Sequence, residues 1–121
     1  MSAEIVQTVE VFGEDGEPIK DLCTKLRFSE EHLQMSKDRF AALSAGDGRA
    51  RVRREIGETI GGPGYSSVRV STSIEICCDQ NSAAIQKAAA AIYQECVYLN
   101  EDGILQAYEG LLNHRDTLKL G

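Results

Sequence analysis

Tryptophan is absent, histidine occurs twice and proline twice in 121 residues. Seven aromatic side chains, four Tyr and three Phe, leave the core to aliphatic residues. His32 has no second His, Cys or carboxylate at i+4, and His114 falls in the last turn of a predicted helix, where the helix dipole favours a cation, so neither predicts a metal site. The four cysteines, Cys23, Cys77, Cys78 and Cys96, contain no C-x-x-C, and reduced thiols are expected. No Ser lies in a nucleophile elbow and no sequence signature joins a Cys to a His, which argues against an enzyme. The glycine-rich run from Gly57 to Gly64 lacks the Gly-Lys-Ser/Thr of a phosphate loop, and Tyr65 begins a strand where a dinucleotide fingerprint needs a helix. The acidic turn from Gly13 to Pro18 lacks the alternating oxygen ligands of a calcium loop. No cofactor is expected. No apolar run approaches the roughly 20 residues that span a bilayer, and the N-terminus has neither a basic region nor a continuous apolar one. A soluble, cytoplasmic, single-domain protein is expected.

What is present is alternation. From Tyr65 to Cys78, YSSVRVSTSIEICC, apolar and β-branched residues recur at every second position. Val68, Val70, Thr72, Ile74, Ile76 and Cys78 then fall on one face of a long strand, and Arg69, Ser71, Ser73, Glu75 and Cys77 on the other. A first strand is predicted over 4–12, with Ile5, Val9 and Val11 on one face, followed by a turn. Residues 19–28 mix helical and strand spacing, and a short strand ending near Phe28 is favoured. A helix capped by Ser29 should run to Gly46, burying Leu33, Phe40 and Leu43. Residues 49–60, RARVRREIGETI, fit a strand through Ala50, Val52 and Ile56, with Arg54 intruding on that face, and also a helix through Val52, Ile56 and Ile60. Gly57 and the β-branched Thr59 and Ile60 favour the strand, joined to the central one by the Gly61–Gly64 turn.

The richest helical signal runs from Ser82 to Leu99, where Ile85, Ala89, Ile92, Cys96 and Leu99 make an apolar stripe. Asn100 to Gly103 interrupts it, so a second helix is predicted from about Ile104 to His114, capped by Asp102, the two forming a helical hairpin. The whole reads as α+β: a small antiparallel sheet of three to four strands, covered on one face by about three helices.

Net charge is −6, distributed as +3 −8 over 1–31, +7 −4 over 32–74 and +3 −7 over 75–121. The basic middle concentrates Arg49, Arg51, Arg53, Arg54 and Arg69 near Tyr65, a set able to grip phosphate in two-point fashion and stack a base. The other reading is that these arginines pair with Glu55, Glu58 and the acidic termini. Overall acidity argues against a polyanion partner. The small residues around Ala89 and Ala90 would allow close approach of a second subunit.

The run GYSSVRVSTSIEIC followed by an alanine-rich helix, spanning about 60–99, resembles small proteins encoded by phages and other mobile elements, many without assigned function. That resemblance implies an accessory or regulatory binder and transfers no site residue. Two function classes follow: a non-enzymatic, self-associating protein-interaction module, or a binder of nucleic acid or a small phosphorylated nucleotide through the arginine hairpin.

Overall fold

The computed structural model describes residues 4–23, 34–35, 38, 40 and 47–120, with side chains as far as His114. Three strands, β1 (Glu4–Phe12), β2 (Ala50–Gly61) and β3 (Ser67–Cys78), form one antiparallel sheet in the order β1-β3-β2. A single helix, α1 (Ser82–Leu120), follows. The central strand is the one whose alternation is longest. Its Val68, Val70, Thr72, Ile74, Ile76 and Cys78 are buried under α1, while Arg69 is exposed on the opposite face. Burying each such aliphatic side chain is worth about 1.5 to 3 kcal/mol, which makes β3 the main source of cohesion.

Turns hold the strands in register. At the end of β1, Gly16 adopts φ 83°, and Gly13 N–H donates to the Glu17 carbonyl at 2.8 Å. A 3-10 turn at Lys20–Leu22 follows where a short strand is expected. Residues 24–28 of that expectation lie outside the described residues. The 3-10 segment folds back on β1: Ile19 N–H donates to the Val11 carbonyl at 2.8 Å, and Val11 N–H donates to Cys23 Sγ at 3.4 Å. The helix expected from Ser29 to Gly46 also lies largely outside the described residues. Of its members, Gln34, Met35, Asp38 and Phe40 are helical, and Phe40 enters the core beside Ile74 and Ile92.

The predicted helical hairpin is not formed: among the described residues one helix, α1, stands where two of the about three expected covering helices were placed. Asn100 to Gly103, which read as a break, lie inside one continuous helix of 39 residues, about 58 Å long at 1.5 Å per residue. Asn81 caps it, its Oδ1 accepting from Ala84 N–H at 2.8 Å. The interruption survives because tertiary contacts outweigh poor helix propensity. Thr72 Oγ1 donates to Asn100 Oδ1 at 2.9 Å, and Gln7 Nε2 donates to Thr72 Oγ1 at 3.1 Å and to the Leu99 carbonyl at 3.0 Å. All three polar residues are fully buried. Gly103 lets the helix close on this network: a Cβ there would stand 2.6 Å from Gln7 Nε2 and 3.1 Å from Val70 Cγ1.

The polar trio divides the core. On one side Ile74, Ile76, Cys78, Ala88, Ile92, Cys96 and Leu99 pack together. On the other Val9, Val11, Val68, Val70, Ile104, Ala107 and Leu111 do so. Because α1 runs on to Leu120, His114 is not in a last turn, and the helix dipole does not account for it.

Candidate functional site: the open sheet face and the β2 edge

The helix covers one face of the sheet only. On the other, the strand registers place Arg53 beside Glu75 and Glu75 beside Glu4; Glu55, Ser73 and Val6 form the next row; then Gly57, Ser71 and Thr8; then Thr59, Arg69 and Glu10. This face is small-residued and mixed in charge. Val6 on it is 47% exposed, and among the described residues no helix or strand packs across it.

The six residues expected to bind a phosphate fall in separate places. Arg51 and Arg53 share the open face at the start of β2, and Arg49 precedes the strand, its N–H donating to Asp47 Oδ1 at 3.0 Å. Arg51 Nε lies 3.8 Å from Glu75 Oε1, and Arg53 Nη2 lies 3.0 Å from Glu55 Oε2. Exposed pairs of this kind contribute little to stability, yet they occupy two of the guanidiniums with carboxylates. Arg69 stands opposite Thr59, eight residues along β2 from Arg51, or roughly 26 Å in extended chain. Arg54 is on the helix side, its Cζ 5.6 Å from the centre of the Tyr93 ring. Tyr65, 81% exposed, lies beyond the other end of β2, where its N–H donates to the Glu14 carbonyl. Ala90 is exposed on α1 and Ala89 is half-buried.

The two outer strands differ. The 19–23 segment bonds to β1 at Val11. Strand β2, by contrast, is exposed over most of its twelve residues, including Glu58, Thr59, Ile60 and Gly61. Only Ala50, Val52 and Ile56 are partly buried against the core.

The thiols divide as the strand alternation implies, Cys78 buried and Cys77 half-buried on the open face. Burial pushes the Cys96 thiol up to about 11, with the Glu95 charge adding to the rise; Cys96 Sγ donates to the Arg54 carbonyl at 3.6 Å. Burial also raises Cys78, helped by the Asp79, Cys77 and Asp47 charges. At pH 8 roughly one Cys96 in a thousand would be thiolate, the reactive form. Iodoacetamide labelling followed by mass spectrometry should therefore modify Cys77 and Cys23 in the folded protein and reach Cys96 only after denaturation. Equal labelling of all four would show that the helix does not seal the sheet.

At the end of the sheet away from Arg49, Arg51 and Arg53, a cleft of about 340 Å³ opens between the Gly13–Glu17 turn and α1, floored by Ile19, Ser66 and Leu111 and edged by Glu14, Asp15, Glu17 and His114. Among the described residues no three His, Cys, Asp or Glu side chains converge as metal ligands, and no helix is long and apolar enough to cross a membrane. Comparison with protein-family models, with curated proteins and with solved structures gives no match.

Proposed function

We propose that the protein is a non-enzymatic, self-associating interaction module whose contact surface is the sheet. The observation that carries this reading is β2, an outer strand of twelve residues exposed along most of its length. An exposed strand edge is a row of backbone donors and acceptors able to extend into another chain. Such a module would serve as an accessory binder, as the resemblance to small phage-encoded proteins implies. Sedimentation velocity over a range of concentrations tests the reading: reversible assembly is expected, and a strict monomer at about 100 micromolar, ample for weak contacts, would overturn it.

The same preparation distinguishes the arginine-based reading. Replacing Arg49, Arg51 and Arg53 together by Ala should change stability by less than about 1 kcal/mol, since exposed charges contribute little. Neither wild type nor variant is expected to bind nucleotides or single-stranded RNA at low salt. Binding by the wild type that the triple variant loses would favour the phosphate reading instead.

A further inference from the structure

Along the helix-side face of β2 the side chains run Val52, Arg54, Ile56, Glu58, Ile60. Read backwards, the order is again apolar, charged, apolar, charged, apolar, with the two charges exchanged. An antiparallel strand pair related by a two-fold axis sets each residue against its mirror position about the axis. We propose that β2 pairs antiparallel with β2 of a second copy about an axis through Ile56, joining the two three-stranded sheets into one. This rests on the self-association reading and names its surface.

In that register Arg54 stands opposite Glu58 of the second copy, and Glu58 opposite Arg54, while Val52 faces Ile60 and Ile56 faces itself. On the open face Glu55 meets Gly57, Arg53 meets Thr59 and Arg51 meets Gly61, with no like charges opposed. Among the described residues neither Arg54 nor Glu58 forms an ion pair within its own chain, so both charges are available. Neighbouring registers are worse. An axis on Glu55 opposes two Glu55 side chains and sets Val52 against Glu58. One on Arg54 opposes two arginines, and one on Gly57 sets Ile56 against Glu58. Directly opposed like charges destabilise a sheet, whereas opposite charges and β-branched pairs stabilise it. The axis lies perpendicular to the sheet, so both helices fall on one side. Ile60, 36% exposed, and Tyr93, 49% exposed, then lie near the junction.

Two variants test this. Ile56→Cys, oxidised mildly, should give a covalent dimer whose tryptic map contains a disulfide between the two introduced cysteines, because opposite residues in an antiparallel pair lie about 4.5 to 5.5 Å apart. Arg53→Cys should not cross-link to itself, its two copies being roughly 20 Å apart in this register. Separately, Glu58→Arg should raise the dimer dissociation constant about tenfold or more, and adding Arg54→Glu should bring it back to within about threefold of wild type. A dimer that fails to cross-link at position 56, or that is indifferent to Glu58→Arg, overturns pairing through β2 while leaving self-association standing. A wild-type monomer overturns both.

Discussion

Gly103→Val is expected to lower the unfolding free energy by about 3 kcal/mol or more, combining overpacking with lost hydrogen bonds. On helix propensity alone, replacing a mid-helix glycine by Ala should stabilise by about 1 kcal/mol. Here the added Cβ would lie 2.6 Å from Gln7 Nε2. The Gln7 head group cannot yield cheaply, because it is fully buried and donates to both Thr72 Oγ1 and the Leu99 carbonyl. Val70 Cγ1, at 3.1 Å, blocks the other direction. Gly103→Ala should therefore be destabilising despite its propensity, and Val, which brings two further methyls and little helix preference, more so. Urea unfolding followed by circular dichroism measures both. A Gly103→Ala variant more stable than wild type would show that the helix does not close on the sheet at this point.

Gln7→Ala should cost about 2 to 4 kcal/mol, from two lost hydrogen bonds and the cavity left between the two halves of the core. The fuller expectation concerns coupling. Removing the Gln7 head group clears the space that a Cβ at position 103 would enter, so the Gln7→Ala/Gly103→Ala double variant should be more stable than the sum of the single effects predicts, by about 1 kcal/mol or more. Strict additivity would mean that the two positions do not meet. The network is not fully saturated, since among the described residues Gln7 Oε1 and Asn100 Nδ2 have no partner. Replacing all three polar residues by apolar ones of similar shape should therefore cost less than removing Gln7 alone.

These residues mark where the sequence was readable and where it was not. Strand alternation in β1 and β3 is a local signal repeated many times, so their faces follow from period alone. In residues 49–60 Gly57, Thr59 and Ile60 favour a strand over a helix, and β2 forms from Ala50 to Gly61. The helix break failed for a non-local reason. Asn100, Asp102 and Gly103 are poor helix formers in isolation, and the helix continues through them because Gln7 and Thr72 bond to Leu99 and Asn100 across 92 and 28 residues of chain. A clue existed: Gln7 interrupts the Ile5, Val9, Val11 face, and Thr72 interrupts the valines and isoleucines of β3. Two polar residues set into core faces call for a third group to satisfy them. Among the arginines, clustering in sequence did not become clustering in space, because an extended strand separates residues by about 3.3 Å each and sends alternate ones to opposite faces. Arg54, which looked like an intrusion on an apolar face, sits over Tyr93 beside the sheet edge.

Hydrogen exchange reads directly whether β2 is an edge that meets another copy of itself. Backbone amides of β2 should exchange more slowly as protein concentration rises from about 1 to about 100 micromolar, because association protects only amides that are paired in the complex. Amides of β3, already bonded on both sides within the sheet, should lose no more than their share in global opening. Protection of β2 that grows with concentration while β1 is unchanged is the expected result; β2 amides that exchange at one rate across the whole range would contradict it.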